Sequence, residues 1–297
     1  MRLLLIRHAQ TTANVLGSLD TAAPGPVLTP LGVRQAAEVP QALAGVEIDA
    51  IFVSTLARTS ETAAPLARDR GLAMIELPGI HEIEAGELEG RADGESAKRY
   101  LETVFAWGQG QLNGFIPGAS NGHGFFRRFD ASIADAAATV ETLTGNAGTA
   151  VVFSHGAAIR VWAAGRATNI PPMFAGSHHL DNTGIVELDG SLEAGWSLKH
   201  WQGTPVGGED LADSTAEDPT GETLAEARAD DVAATALDEA HRKAAATRPA
   251  RRRSSSARPS DRRHRLLRHH RRRSRRRKSR QKSCYRYRYL TNSPSGR

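Results

Sequence analysis

Cysteine is almost missing from this chain of 297 residues: Cys284 stands alone, so no intramolecular disulfide can form and a reducing compartment is the simplest reading. Aromatic residues are scarce too, at 5%. Long apolar runs are absent. The first, Leu3 to Ile6, spans four residues and stops at Arg7-His8, short of the roughly 7–15 apolar residues of a signal-peptide core. No stretch approaches the roughly 20 apolar residues of a membrane span, so a soluble cytoplasmic protein with no membrane partner is expected. There is no HExxH pattern, and His178 and His179 are adjacent, so regular structure points their side chains apart. No metal site is therefore expected. Acids nearly vanish from residues 251–297, which hold 20 Lys or Arg against Asp261 alone. The preceding 250 residues carry 18 basic and 32 acidic side chains, so the net charge of +5 describes neither part.

What is present is 40% apolar content, enough for a sizeable core, arranged as short apolar runs alternating with helical patterns. Leu3 to Ile6 suits a strand covered on both faces of a parallel sheet. Gly17 to Pro30 reads as a loop, and Thr29 caps a helix that starts with Pro30, whose missing N–H bonds nothing in a first turn. Pro40 is expected to kink or end it. Ala50 to Val53 is a second strand, followed by a helix over Leu56 to Arg70 that places Arg58 in its first turn. Ala73 to Leu77 is a third strand, leading into the acidic loop GIHEIEAGELEG. A helix over Glu95 to Trp107 precedes a glycine-rich loop or lid, Gly108 to Gly124, which Phe125 and Phe126 would help to shape. The Phe125 to Leu143 helix, the Ala150 to Phe153 strand and the Ala157 to Ala167 helix follow. A closing hairpin, Gly184 to Leu188 with Trp196 to Trp201, turns at Gly190. Strands alternating with helices make this an α/β sheet with an antiparallel edge.

Strands of a parallel sheet share a direction, so three strand ends deliver Arg7 with His8, Arg58, and His155 to one edge, where open α/β sheets bind ligands. Glu82 joins them from the acidic loop. A neutral imidazole is a competent nucleophile toward phosphorus, and two guanidiniums match the oxygens of a transferring phosphoryl group. His155 would donate to a phosphate oxygen. Glu82 would protonate the leaving alcohol if neighbouring acids raise its pKa, and would then act as base when water attacks the phosphohistidine.

These residues sit in five ordered blocks. RHAQTTAN resembles the RHGxTxxN signature of the histidine phosphatase superfamily, in its phosphoglycerate mutase-like branch, and LTPLGVRQA resembles the family's LTxxGxxQA segment. STLARTSETA, HEIEAGELEG and FSHGAAIR are similar to its second-arginine, acidic-loop and second-histidine blocks. The resemblance covers residues 1–205 as a catalytic domain. It implies a three-layer α/β/α sandwich with a mostly parallel sheet, no metal and no cofactor. His8 would be the phosphorylated nucleophile and Glu82 the proton donor. Arg7, Arg58 and His155 would form the phosphate pocket, with Asn14 and Gly156 as further phosphate contacts, although Asn14 also suits a cap of the next turn.

Two departures stand out: Ala9 replaces the usual glycine after the nucleophile, where its methyl group would crowd the backbone or limit φ. PGASNGHG puts Ser120 and Asn121 where many relatives have a glutamate-serine pair. Three functions follow from the resemblance: a metal-independent phosphomonoester hydrolase acting on a small-molecule phosphate ester, a mutase returning the phosphoryl group to another hydroxyl, or a catalytically silent phospholigand-binding module. The lack of an ERHYG-like stretch favours the hydrolase over the mutase.

Patterning fades after Val206. Residues 206–242 read as an acidic linker and 243–297 as a disordered, Arg-rich, low-complexity tail. With Tyr285, Tyr287 and Tyr289 beyond it, the Arg run suits weak, nonspecific nucleic-acid binding. A solvated tail paired with the acidic body, or a shifted reading frame, would account equally for the composition.

Overall fold

A computed structural model describes residues 1–236, apart from 146, 172, 214, 217, 230, 233 and 234. The Arg-rich tail lies outside the described residues. The six strands β1 (Arg2–Arg7), β2 (Ala50–Val53), β3 (Met74–Glu76), β4 (Thr149–Ser154), β5 (Ile185–Ser191) and β6 (Gly195–Gln202) form one sheet in the order β3-β2-β4-β1-β5-β6. The first four are parallel, and β5 and β6 add the antiparallel edge.

Successive side chains of a strand point to opposite faces, and the sheet here is buried on both. Leu3, Leu5, Phe52 and Val152 enter one core, and Leu4, Ile6, Ile51, Val53 and Phe153 the other. After the single turn α1 (Thr12–Val15), helices α2 (Pro30–Ala42) and α3 (Ala57–Arg70) cover the second face through Val39, Leu43, Ala63 and Leu66. The first face carries α4 (Gly94–Gly108), α5 (Gly122–Thr144) and α6 (Gly156–Arg166). That is a mixed α/β fold with helices on both sides of a mostly parallel sheet.

Local chemistry sets the helix starts. Thr29 caps α2 by accepting from the Gly32 N–H at 3.0 Å, with Pro30 at the first position. Asp93 and Asn121 cap α4 and α5 in the same way. Pro40 does not stop α2 at once; the helix ends at Ala42, two residues on. Phe125 and Phe126 are not lid residues. They are buried in an aromatic cluster with Trp107 and Phe129, and Phe129 in turn stacks on Trp162 at 5.2 Å.

The stretch after Val206, expected as a linker, returns to the body over its described residues. Val206 and Ala227 are buried in the two cores, and Gln35 donates to the Leu211 carbonyl at 2.8 Å. Its acidic groups meet donors on the body, as where Gln10 bonds Asp213 and Lys98 pairs with Asp231, both at 2.9 Å. Polar docking of this kind leaves no apolar periodicity to read. No helix among the described residues is long and apolar enough to cross a membrane.

Candidate active site

Register places the two histidines. Arg7 of β1 pairs with Ser154 of β4, so His8 and His155 leave adjacent strands at the same level, and their ring centres lie 5.2 Å apart. The His8 Nδ1 bonds the Ala9 carbonyl at 2.8 Å. A carbonyl only accepts, so Nδ1 carries the proton and Nε2 keeps its lone pair. Burial, reinforced by the charges of Arg58 and Arg7, holds the His8 pKa well below 6.5. The ring is therefore neutral near pH 7. Its neighbour His155 is also fully buried and neutral, with Nε2 2.7 Å from the Ser54 hydroxyl and Nδ1 without a partner. Ser54 follows the last residue of β2, so a third strand end orients this ring.

Arg7 is buried and both Nη atoms have partners, Nη1 donating to the Leu180 carbonyl at 2.7 Å and Nη2 to Asp218 at 2.5 Å and Thr220 at 2.8 Å. Among the described residues its Nε has no partner, nor has the Nε of the buried Arg58. Gly156 opens α6 beside them: a Cβ there would lie 3.0 Å from the Arg7 Nε and 2.4 Å from the Thr220 carbonyl, so only glycine leaves this approach open.

Glu82 is buried, and its Oε1 accepts from the Ile83 and Ala158 N–H groups, both at 2.8 Å, while Oε2 accepts from Ala157 at 3.2 Å. The carboxyl thus sits on the N-terminus of α6. Its pKa is raised, as the acid role requires, but the cause differs from that expected: burial raises it, and these N–H bonds and Arg58 oppose the rise. Neighbouring acids contribute elsewhere. Glu84 bonds His81 and lies near Arg128, which hold it at about 2, and Glu89 ties Thr21.

Asn14 is buried and closes a capping box with Thr11, its Oδ1 accepting from the Thr11 N–H at 2.8 Å. Ala9 does not need the positive φ that favours glycine. Among the described non-glycine residues only Thr183 has positive φ, and the Ala9 N–H bonds Thr62 at 2.9 Å. Ser120 donates to Glu84 at 3.0 Å and Asn121 caps α5, so both have structural partners.

Sequence reasoning missed several supports. Arg128 donates to the carbonyls of Gly79, His81 and Glu82 at 2.6–2.8 Å, and Tyr100 to that of Ile83 at 2.8 Å, which together fix the Glu82 loop. Thr183, at φ +62°, donates its N–H to the Arg7 carbonyl at 3.1 Å, while Asn182 bonds the His8 carbonyl at 3.0 Å. A β-branched residue in the left-handed region is strained, and here it lies directly behind His8.

Asp20 caps the cluster. Its carboxylate pairs with the Arg58 Nη1 at 3.2 Å and its carbonyl accepts from Nη2 at 2.9 Å. A phosphate accepting from Arg58 would meet the charge of that carboxylate. Asp20→Asn is therefore expected to tighten vanadate inhibition about two- to fivefold, the scale of a partly exposed ion pair; weaker inhibition in a titration would contradict the arrangement.

Both imidazoles also link stability to pH. Below the ordinary value of 6.5 the unfolded chain binds protons at these positions while the folded chain stays neutral. Stability is complete above pH 6.5 and falls as the pH drops toward the lowered folded values. Thermal melting should show this loss, and His155→Asn should make it shallower; an unchanged slope would refute the buried neutral state of His155.

Residues 3–204 match the family model described as histidine phosphatase superfamily, branch 1. The chain is 38% identical over 213 residues to the PE-PGRS family protein PE_PGRS11 of Mycobacterium tuberculosis, covering 68% of this chain and 36% of that protein. It is 36% identical over 125 residues to the adenosylcobalamin/alpha-ribazole phosphatase of Escherichia coli, covering 42% of this chain and 60% of the relative. The fold is shared with a solved mycobacterial glucosyl-3-phosphoglycerate phosphatase at a TM-score of 0.57 and 22% identity, over 68% of this chain and 99% of that one.

Proposed function

The chain belongs to the histidine phosphatase superfamily, branch 1, and on that premise we propose that it is a metal-independent phosphomonoester hydrolase that phosphorylates His8. One observation carries the reading: a buried neutral imidazole whose Nε2 lone pair is set by the Nδ1 bond to Ala9, in a cluster with three unpartnered buried nitrogens, the Nε atoms of Arg7 and Arg58 and the Nδ1 of His155. An orphaned buried donor costs about 1–3 kcal/mol. A phosphoryl group would supply acceptors to all three. The phosphatase name of the Escherichia coli relative supports the same chemistry.

In the reaction, His8 Nε2 attacks phosphorus as the ester P–O bond breaks, and the leaving oxygen takes the Glu82 proton. That proton is best carried on Oε2, which accepts one N–H where Oε1 accepts two. When Ser54 donates its hydroxyl proton to His155 Nε2, the His155 Nδ1–H donates to a phosphoryl oxygen. The Glu82 carboxylate then deprotonates water, which attacks the phosphohistidine, releasing inorganic phosphate and restoring His8.

Phosphate release from an aryl phosphate, measured with and without EDTA, tests the reading. Turnover insensitive to chelator supports it, and turnover abolished by chelator overturns it. Conversion of 3-phosphoglycerate that needs 2,3-bisphosphoglycerate, without net phosphate release, would make the protein a mutase.

A further inference from the structure

The Arg7 guanidinium is held by the segment that returns after Val206, and the manner of holding decides which nitrogen remains for substrate. The Arg7 Nη2 donates to Asp218 Oδ2 at 2.5 Å and to Thr220 Oγ1 at 2.8 Å, and the Thr220 hydroxyl donates onward to Asp218 Oδ1 at 3.2 Å. These bonds close a ring around one nitrogen. The Leu180 carbonyl takes Nη1, and Gly221 lets the backbone come close enough that a Cβ there would fall 2.3 Å from it. The segment is itself anchored, because the buried Arg160 donates to the Thr220 carbonyl at 3.1 Å and to the Ala175 carbonyl at 2.8 Å. The Asp218 N–H also donates to Glu222 Oε1 at 2.9 Å. Among the described residues Nε of Arg7 has no partner, and it faces Gly156 at the mouth of α6.

We propose that Asp218 and Thr220 are positioning residues for the phosphate site, locking the Arg7 fork so that its unpartnered Nε is presented to the phosphoryl group. The inference rests on the phosphatase reading above, in which Arg7 binds phosphate. It makes an unusual demand on sign. A carboxylate beside an anion site repels the anion, so if Asp218 acted only through its charge, removing it would tighten phosphate binding. A positioning role requires the opposite for alanine, because the fork loses its acceptor. It requires tighter or equal binding for asparagine, which keeps an acceptor oxygen and drops the charge.

Full-length wild type, Asp218→Ala, Asp218→Asn and Thr220→Val are compared by the inhibition constant of orthovanadate against an aryl phosphate, with melting curves recorded in parallel. Asp218→Ala is expected to weaken vanadate about ten- to a hundredfold, the range for a hydrogen bond to a charged group. Thr220→Val should weaken it less, and Asp218→Asn should bind at least as tightly as wild type. Tighter vanadate binding by both Asp218 variants would overturn the proposal in favour of simple repulsion. Lower melting temperatures with unchanged inhibition constants would overturn it in favour of a purely structural role. If Asp218→Ala does not fold, Thr220→Val and Asp218→Asn still decide by the same signs. Wild type that neither turns over nor binds vanadate would instead refute the phosphatase reading itself.

Discussion

Replacing His8 with alanine is expected to lower kcat/KM for an aryl phosphate by about 10⁴- to 10⁶-fold, the scale seen when a covalent nucleophile is deleted. The magnitude follows from what remains. Arg7, Arg58 and His155 would still bind the dianion, so KM and vanadate affinity should change far less than kcat, but no atom is left to take the phosphoryl group. The imidazole is already neutral because burial and two guanidiniums depress its pKa, so wild type pays no deprotonation penalty at pH 7, and no external base can stand in for the missing ring. An alkaline denaturing quench during turnover should trap a phosphoryl label on wild type, labile to acid and stable to base, and none on His8→Ala. His8→Asn serves as the check on folding. A His8 variant keeping more than a tenth of the wild-type rate, or a label on another residue, would end the phosphohistidine mechanism.

The second large effect is at Glu82 and depends on the leaving group. Glu82→Gln preserves an acceptor oxygen for the N–H groups of α6 but has no proton to give. For an alkyl phosphate, whose alkoxide leaves only when protonated, kcat/KM should fall about 10²- to 10⁴-fold, the usual weight of a general acid. For p-nitrophenyl phosphate, whose phenolate leaves unaided, kcat/KM should barely move. Its kcat should still drop, since the carboxylate is also the base for water, and rapid mixing should show a burst of nitrophenolate followed by slow turnover. The pH profile carries the same signature. Burial raises the Glu82 pKa above 4.5, so the fraction holding the proton falls as pH rises through that raised value, and the alkyl-phosphate rate should fall with it. Glu82→Gln should lose that limb and keep only the ionisation of the substrate's own phosphate, near pKa 6. Equal losses on both substrates would take the proton away from Glu82.

The residues proposed for this chemistry are legible because each sits within a few positions of a strand end or helix start whose local pattern is strong. Leu3 to Ile6 announces β1, and Arg7 and His8 follow at once. Ala150 to Phe153 announces β4, and His155 is two residues on. What holds those residues was not legible. Arg128 lies in the middle of α5, where its spacing marks it as an ordinary exposed face, yet it reaches three carbonyls of the Glu82 loop. Asp218 meets Arg7 across 211 residues of chain, and it docks through a carboxylate, a hydroxyl and a carbonyl. Periodicity reports apolar burial; it is blind to a segment anchored by hydrogen bonds. Asn14 shows the converse, since the residue that a motif suggests for phosphate is engaged in closing a helical turn. The fall of Phe125 and Phe126 into the core rather than over the site has the same root, because composition near glycines does not say which way a helix faces.

The place of β1 in the sheet has a consequence for synthesis. This strand takes an interior position, and its neighbours, Thr149–Ser154 and Ile185–Ser191, leave the ribosome well over a hundred residues after it. Until then both of its edges carry open amides and carbonyls on one of the most apolar stretches of the chain, a state prone to clumping. The nascent strand is therefore open over that interval, and the hold on Arg7 closes only once Asp218 and Thr220 have been made.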